Sequence, residues 1–327
     1  MRITLLHTAD ALGPPVDPVL DQLRAALTNG GHLVETIAVD REVEPVVSEL
    51  RRQQPELVFN LAESFLGKSA LESNVAALLN LLDMRYTGSS PAGLLLAGDK
   101  GLTKMMLGFH GILSPSFATV YRGAVDWAGD ISFPLIVKPP QEDASLGVTQ
   151  KSVVRDIKQL LEQMEAMHAE FQQPALVESF IEGREFYVGV IGNTNPRPLP
   201  VIELDFTGFP ADKPKIASWA AKWGEDGEGS GAEYAGTKSI FPESLDAELG
   251  ERIQAVAVEA FKALRLRDYA RIDFRVTDAG EIYVIEVNPN CYLEQESEFA
   301  RAAAKDGLPY DQLIAQILEM ASARYAR

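Results

Sequence analysis

The sequence has few cysteines, few histidines and few positive charges for its length. Its 327 residues include one cysteine and 4 histidines, and 47 acidic residues outweigh 30 basic ones to give a net charge of −17. The single cysteine, Cys291, excludes an intramolecular disulfide and fits a reducing cytoplasm. The histidines lack the spacing of a zinc site, which disfavours a zinc hydrolase. A lone cysteine without a matched base is more typical of an inert thiol than of a nucleophile.

Long apolar runs are also missing, so no transmembrane helix is predicted. The apolar start, MRITLLHTAD, is too short for a signal peptide, and we expect a cytoplasmic protein. A strongly acidic chain is poorly suited to duplex nucleic acid or anionic membranes, and neither is an expected partner. If the chain binds a polyanion such as a nucleotide, it needs focused cations, a metal or oriented backbone N–H groups.

The chain length predicts two or three domains of an α/β protein, with α+β character in the C-terminal half. Residues 1–92 alternate strand and helix patterns, which predicts βαβ units and a mostly parallel sheet. Residues 93–180 and 181–327 form the second and third predicted units, and a helix is predicted over 153–171. The glycine-rich segment 223–237 lacks periodicity and predicts a mobile binding loop, with a disordered surface insertion as the alternative.

Two predicted strands near the C-terminus form a hairpin with carboxylates on one face. With 278–281 as its loop, Asp273 would lie opposite Glu286, and Asn288 would share the face of Glu286. Two carboxylates and an amide oxygen suit a hard cation such as Mg²⁺. Pro289 is predicted to end the strand, since it cannot donate to the ladder. The alternative is a hairpin with a solvated acidic face.

A lysine and a glycine-containing loop predict a phosphate site. Lys138 ends an apolar strand, and its ammonium is a point charge suited to phosphate. Ser145 and Gly147 follow in a polar loop whose N–H groups could cradle a phosphate. Neither a Walker motif nor GxGxxG is present, and an ordinary loop is the alternative.

A strand end with an apolar pair between carboxylates predicts an adenine site. Glu178 closes one strand, Phe180 and Ile181 follow, and Glu185 begins the next. The apolar pair could hold an adenine against the backbone, with Glu185 taking ribose hydroxyls. An ordinary strand–turn–strand connection is the alternative.

Together these segments resemble the ATP-grasp superfamily, and within it the D-alanine–D-alanine ligases. The resemblance covers roughly residues 55 to 320, and it depends on the order of the segments more than on any one of them. In chain order the matching segments are GDKGLTK (98–104), PLIVKPP (134–140), ASLGV (144–148), VESFIEGREFYVGV (177–190), AKW (221–223), RIDF (271–274) and EVNPN (286–290).

The resemblance implies an ATP-grasp fold behind an N-terminal open parallel-sheet domain, and it implies roles for the motif residues. The nucleotide-binding residues would be Lys100, Lys138, Ser145, Gly147, Glu178, Phe180, Ile181, Glu185 and Lys222. The Mg²⁺ ligands would be Asp273, Glu286 and Asn288. The catalytic residues would be Arg271, Lys222 and Ser297.

The implied reaction joins a carboxylate to an amine in two steps. ATP phosphorylates the carboxylate to an acyl phosphate, and the amine then attacks as phosphate leaves. Positioned cations and two Mg²⁺ ions, with Mn²⁺ as a substitute, would stabilise the charge that spreads over the phosphoryl oxygens. A closed loop would keep water from the acyl phosphate. The expected partners are amino acids, peptides or other carboxylates, and analogy with the family suggests a homodimer.

The departures from the family pattern cluster on the amino-acid side of the site. The family's Gly-Gly-x-Ser-x-Glu segment is absent from residues 7–17, Glu63 stands where a histidine is usual, and Lys68 lies near the expected acid. We predict that Glu63 binds an ammonium and Lys68 an additional carboxylate, with solvated side chains as the alternative. The predicted substrate residues are Glu63, Lys68, Arg271, Asn290 and Ser297.

The sequence leaves three functions open. We favour an ATP-dependent ligase with a substrate pair other than two D-alanines, and the alternatives are a genuine D-alanine–D-alanine ligase and a non-catalytic ATP sensor. Lys138, Lys222 and Arg271 argue against the sensor, because a sensor needs no group that stabilises an acyl phosphate.

Overall fold

The computed structural model describes residues 1–9, 18–121, 124–128, 131–142, 145–224 and 229–326. Parts of three predicted features lie outside the described residues. They are positions 10–17 after the first strand, positions 143–144 before the serine of the phosphate loop, and positions 225–228 of the glycine-rich segment.

Strands and helices alternate up to β3, and beyond it most of them come in runs of two or more of the same kind. The strands are β1 (Arg2–Thr8), β2 (Leu33–Val39), β3 (Leu57–Leu61), β4 (Phe117–Tyr121), β5 (Ala124–Ala128), β6 (Leu135–Lys138), β7 (Val153–Val154), β8 (Ala175–Ser179), β9 (Arg184–Ile191), β10 (Arg197–Pro198), β11 (Ile202–Asp205), β12 (Lys238–Ile240), β13 (Tyr269–Val276) and β14 (Ile282–Pro289). The helices are α1 (Pro18–Asn29), α2 (Val43–Gln53), α3 (Glu72–Leu81), α4 (Pro91–Ala97), α5 (Lys100–Phe109), α6 (Ile157–Phe171), α7 (Trp219–Trp223), α8 (Ala232–Ala235), α9 (Ala247–Ala263), α10 (Glu298–Lys305) and α11 (Tyr310–Arg324). Among the helices described, none has the length and apolarity needed to cross a membrane.

The N-terminal sheet is parallel, with β1 between β2 and β3, which confirms the predicted βαβ units. The helix α1 begins at Pro18, where a missing N–H has no cost because first-turn donors lack helical partners. It buries Leu23 and Leu27 and ends before Gly30 and Gly31. Apolar spacing and helix-ending residues therefore suffice to define this unit.

The second sheet is antiparallel in the order β5-β4-β8-β6-β7. The helix predicted from Val153 in fact begins at Ile157. Val153 and Val154 pair with β6 as a short buried strand. Asp156 caps the helix by accepting a hydrogen bond from the Gln159 N–H at 2.9 Å. A β-branched apolar pair suits a strand position, and a short polar side chain suits the N-cap, which explains the later start.

The third sheet runs β12-β11-β9-β13-β14, with β10 also paired to β9, and its described pairs are antiparallel. The prediction that the strand ends at Asn288-Pro289-Asn290 is confirmed, because Pro289, which pairs with Ala270, is the last residue of β14. β14 lies at the edge of this sheet. Proline is tolerated at an edge, where no further strand needs its N–H.

Each sheet falls within one predicted unit, but the buried core crosses the predicted boundaries. One apolar cluster joins Leu5 of β1 and Leu23 of α1 to Ile317 of α11. The helix α4 (Pro91–Ala97) spans the boundary placed after residue 92. The three-domain division therefore stays a prediction.

The glycine-rich segment 223–237 is partly helical. It includes the end of α7 at Trp223 and all of α8, whose Glu233 is buried. Its mobility stays a prediction.

Candidate active site

A cleft of about 770 Å³ is lined by residues of the second and third sheets, α5 and α7. We call it the lysine cleft, because Lys100, Lys138 and Lys222 line it. The predicted site residues that the structure brings together here are Lys100, Lys138, Ser145, Glu178, Phe180, Ile181, Glu185, Lys222, Asp273 and Glu286. They come from motifs that are far apart in the sequence.

The predicted pairing of Asp273 with Glu286 is confirmed, although the hairpin reaches it differently. The ladder begins at Val276 with Ile282, so the connection is one residue longer than the predicted 278–281. A register shift after Asp273 then restores the expected pairing, which leaves Ile285 as the extra residue of β14. A bulge of this kind re-aims neighbouring side chains. Both Ile285 and Glu286 consequently line the lysine cleft.

Arg271 is held by carboxylates next to the cleft. Its Nε and Nη2 donate to the two oxygens of Asp273 at 2.8 and 2.9 Å. Its Nη1 lies 3.4 Å from Glu298 Oε2, and its guanidinium stacks 4.8 Å from the centre of the Tyr187 ring. Glu298, which the sequence interpretation missed, therefore helps fix Arg271. A bidentate pair with a stacked face leaves the guanidinium little freedom.

The start of α5 places Lys100 against the hairpin. Asp99 caps the helix by accepting from the N–H groups of Gly101 and Leu102. Lys100 Nζ lies 3.0 Å from Glu286 Oε1, and Lys100 is 7% exposed. Burial alone would raise the pKa of Glu286, but the nearby charges of Lys100, Lys222 and Lys138 lower it to about 2. Glu286 is therefore a carboxylate at neutral pH.

Glu178 lies between two lysines. Its Oε1 is 3.1 Å from Lys104 Nζ and its Oε2 is 3.0 Å from Lys138 Nζ, with Glu178 only 2% exposed. Burial lowers the pKa of Lys104 to about 8, even though Glu178 opposes that change. Burial would raise the pKa of Glu178, but Lys104 and Lys138 lower it. Each oxygen of Glu178 has a second lone pair, so the predicted adenosine contact is compatible with both ion pairs.

Lys104 carries no predicted role, yet it completes this group. A sequence signal existed, since Lys100 and Lys104 are one helical turn apart in α5 and so share a face.

The segment predicted to hold the adenine, residues 178–185, is fixed by a further ion pair at Glu185. Arg275 Nη2 lies 2.6 Å from Glu185 Oε2, and its guanidinium stacks 5.8 Å from the Phe180 ring. The Phe180 N–H donates to the Pro134 carbonyl at 2.9 Å. An adenine contact at Phe180 therefore has to use its carbonyl. Arg275, which lines the cleft, is another residue that the sequence interpretation missed.

The phosphate loop, defined here as residues 145–148, lies against the segment that leads to Lys222. Ser145 Oγ donates to the Ala217 carbonyl at 2.6 Å, and the Trp219 N–H donates to the Val148 carbonyl at 3.0 Å. Gly147 has φ +76°, and a Cβ there would come within 2.8 Å of the Phe171 ring. Glycine is therefore required on both conformational and steric grounds.

A second cleft, of about 980 Å³, lies where the N-terminal sheet meets the end of β14. We call it the Glu63 cleft. Glu63 and Asn290 line it, together with His7, Glu72 and Cys291. The Glu63 N–H donates to Thr8 Oγ1 at 2.9 Å, which ties this loop to the end of β1.

Three predicted substrate residues, Lys68, Arg271 and Ser297, are not among the described residues that line the Glu63 cleft. Lys68 is exposed. Ser297 caps α10 by accepting from the Ala300 N–H at 3.4 Å, and its Oγ donates to the Tyr292 carbonyl at 3.1 Å. Their substrate roles stay predictions.

Cys291 lines the Glu63 cleft but is only 6% exposed. Burial raises the pKa of its thiol well above the usual range. The geometry therefore gives no support to a thiolate nucleophile.

The hairpin offers a donor set that fits Mg²⁺. Asp273 and Glu286 are paired across β13 and β14, as are Arg271 and Asn288. Asn288 Nδ2 lies 3.2 Å from Asp273 Oδ2, so the amide is directly beside the carboxylates, with Oδ1 as its acceptor atom. Hard oxygen ligands on a rigid hairpin, with room left for phosphate oxygens and water, match the coordination that Mg²⁺ prefers.

Comparison with known proteins identifies the family. Residues 119–319 match the family model described as D-ala D-ala ligase C-terminus. A protein of Syntrophotalea carbinolica named D-alanine–D-alanine ligase is 32% identical over 299 residues, which cover 91% of this chain and 88% of that protein. This chain belongs to the D-alanine–D-alanine ligase family. It is therefore an ATP-grasp ligase, and the resemblance stated from its motifs is confirmed.

Two further matches cover nearly the whole chain. The protein y4sG of Sinorhizobium fredii, described as uncharacterized, is 31% identical over 319 residues, or 95% of this chain and 89% of that protein. The crystal structure of a D-alanine–D-alanine ligase from Bacillus anthracis complexed with ATP matches with a TM-score of 0.75 and 24% identity, covering 99% of this chain and 98% of that chain. This structural likeness confirms the predicted ATP-grasp fold.

Proposed function

We propose that this enzyme uses ATP to join a carboxylate to an amine through an acyl phosphate, with a substrate pair other than two D-alanines. The observation that carries the proposal is the contrast between its clefts. The lysine cleft combines Lys100, Lys138 and Lys222 with Asp273 and Glu286, as phosphoryl transfer requires. The lining of the Glu63 cleft departs from the family pattern, because Glu63 stands where a histidine is usual.

The lysines bind the nucleotide phosphates. Lys100 and Lys138 each lie 3.0 Å from a carboxylate, which holds their ammonium groups at the cleft before a nucleotide arrives. Fixed charges of this kind need little reorganisation when negative charge develops on the phosphoryl oxygens. Lys222 contacts the γ-phosphate, and the N–H groups of the phosphate loop complete the cradle. Phe180 and Ile181 hold the adenine, and Glu185 the ribose.

Asp273, Glu286 and Asn288 hold Mg²⁺, and Mn²⁺ can replace it because both accept oxygen ligands. When bound, the metal neutralises charge on the phosphate oxygens. Arg271, oriented by Asp273 and by the Tyr187 ring, stabilises negative charge on the acyl phosphate and on the tetrahedral intermediate. The helix α7, which carries Lys222, and the phosphate loop together keep water from the acyl phosphate.

The Glu63 cleft binds the substrate that carries an ammonium. Its described lining includes the carboxylates of Glu63 and Glu72 and includes no lysine or arginine. An acidic lining favours a cationic group. Asn290 is anchored there, because its Oδ1 accepts from the Ser89 N–H at 2.8 Å. Lys68, being exposed, acts only if a substrate extends beyond this cleft.

The deciding experiment measures phosphate release across pairs of D- and L-amino acids and dipeptides with Mg·ATP, followed by mass detection of products. We expect phosphate release and an amide product with a pair other than D-alanine plus D-alanine. D-alanyl-D-alanine formation as the fastest reaction would show that the substrate pair is wrong. Phosphate release without any amide product would contradict the ligase reaction.

A D-alanine–D-alanine ligase with a diverged pocket is the second candidate. It is favoured by the name of the relative that shares 32% identity over most of both chains. The same matrix separates the two candidates.

A further inference from the structure

Glu233 is a buried carboxylate on α8 that joins three separate segments. It is 4% exposed. Its Oε2 accepts hydrogen bonds from Ser218 Oγ at 2.6 Å and from Gln150 Nε2 at 3.0 Å. Its Oε1 accepts from Lys213 Nζ at 2.7 Å. The sequence motifs predict no role for Glu233, although three donors converge on its carboxylate.

Ser218 connects this carboxylate to Lys222. Its hydroxyl donates to Glu233 and accepts from the Ala221 N–H at 3.1 Å, so it caps the first turn of α7. α7 is only 5 residues long, and Lys222 belongs to it. The position of Lys222 in the lysine cleft therefore depends on how Ser218 is held.

Gln150 connects the same carboxylate to the phosphate loop, which ends two residues earlier. Two other hydrogen bonds join this loop to the α7 segment. Ser145 Oγ donates to the Ala217 carbonyl, and the Trp219 N–H donates to the Val148 carbonyl. Neither involves the buried carboxylate. Replacement of Glu233 should consequently loosen the contact between the phosphate loop and the α7 segment without abolishing it.

A carboxylate suits this position because two oxygens can accept bonds from three directions. Burial would raise the pKa of Glu233, but hydrogen bonds from Lys213, Ser218 and Gln150 lower it. Leucine would fill the same space and orient none of these donors. A fully satisfied buried network of this kind fixes geometry more than an apolar contact does.

We propose that Glu233 is a positioning residue that fixes Lys222 relative to the phosphate loop, and thereby sets the preference for a nucleoside triphosphate over a diphosphate. The inference rests on the proposed contact of Lys222 with the γ-phosphate. It predicts a selective effect, because ADP lacks the group that Lys222 binds.

The test measures the dissociation constants of Mg·AMP-PNP and Mg·ADP by calorimetry for the full chain and its variants. Lys222→Ala should weaken AMP-PNP about tenfold, the worth of a hydrogen bond to a charged group, and leave ADP within about twofold. Glu233→Leu should reproduce most of that selective loss. Adding Glu233→Leu to Lys222→Ala should cause little further loss, because the two residues act through one contact.

Two further variants keep the test decisive. Ser218→Ala breaks the same connection while Glu233 stays in place, so it should shift the AMP-PNP to ADP ratio in the same direction even if Glu233→Leu folds poorly. Glu243→Gln, at an exposed position, should match the parent protein. Thermal unfolding of each variant verifies that it is folded.

The outcomes separate this inference from the proposed function. If Lys222→Ala leaves the ratio unchanged, the γ-phosphate role of Lys222 is wrong. If Lys222→Ala is selective but Glu233→Leu and Ser218→Ala weaken both nucleotides equally, or their losses add to that of Lys222→Ala, only the role of Glu233 is overturned.

Discussion

The lysine cleft and the Glu63 cleft differ in how their polar residues are held. In the lysine cleft Lys100 and Lys138 each lie 3.0 Å from a carboxylate on another element. In the Glu63 cleft the predicted residues that line the wall are Glu63 and Asn290, which are held through backbone and amide contacts. The first is a framework of ion pairs between elements, and the contacts named in the second are hydrogen bonds between neutral groups.

The comparison has a physical basis. Phosphoryl transfer needs the same charges in the same places whatever the substrates, because negative charge develops on the same oxygens. Substrate recognition depends on a few contacts that can be exchanged without disturbing those charges. Divergence on the amino-acid side is therefore compatible with a retained nucleotide side.

The largest effect is expected in the lysine cleft from Asp273→Asn. Removal of one negative ligand should lower the rate of phosphate release about 10³-fold, at the upper end of what loss of one transition-state contact costs. The measurement is phosphate release with the best substrate pair from the matrix. Glu281→Gln, at an exposed position in the loop of the same hairpin, is the matched control. A loss of less than about tenfold would contradict the metal assignment.

The ion pairs behind the lysine cleft can be tested by stability. Lys104→Met leaves Glu178 with Lys138 as its remaining ion-pair partner among the described residues, so it should lower the free energy of unfolding by about 2 kcal/mol, less than a removal that leaves a buried charge wholly uncompensated. The double variant Lys104→Met/Glu178→Gln should recover part of that loss, because the buried carboxylate that only Lys138 still compensates is gone. Urea unfolding provides both values. Equal stability of the single variant and the parent protein would show that Lys104 does not compensate Glu178.

The Glu63 cleft should respond differently. Glu63→Gln is expected to raise the KM of the amine-bearing substrate about tenfold, the worth of a hydrogen bond to a charged group, and to leave the KM of ATP within about twofold. Glu42→Gln is the control, since Glu42 is exposed, has no predicted role and is not among the described lining residues. If Glu63→Gln raises the KM of ATP instead, the two clefts are not functionally separate.

The smallest effect is expected from Cys291→Ser. Burial raises the pKa of this thiol, so little thiolate forms at neutral pH, and kcat should change less than about threefold. Slow alkylation by iodoacetamide, followed by mass spectrometry, should accompany that result. Rapid alkylation together with a large loss of kcat would mean that Cys291 takes part in the reaction.

The fold was largely predictable where local pattern and packing agree. The alternation of apolar strands with helices in residues 1–92 matches the parallel sheet, and Pro18 marks the start of α1. Boundaries were less predictable. Val153 entered β7 rather than a helix because β6 offered a pairing edge, whereas β14 ends at Pro289 as predicted.

The sequence by itself determined which face of the hairpin carries the carboxylates, and it predicted the residues that bind the nucleotide. Motif order identifies Lys138 and Glu178, and alternation along two strands places Asp273 on the same face as Glu286. The hairpin inference succeeds because it depends on side-chain periodicity, which is local, whereas the nucleotide-binding roles of Lys138 and Glu178 stay predictions.

Only the tertiary structure decided which charges neutralise one another. It paired Lys104 with Glu178 and Arg275 with Glu185, and it placed Glu233 between two segments of the site. It also supplied the bulge that restores the pairing of Asp273. Such relations depend on where distant elements meet in space, and a buried charge finds its partner through packing, which no local spacing records.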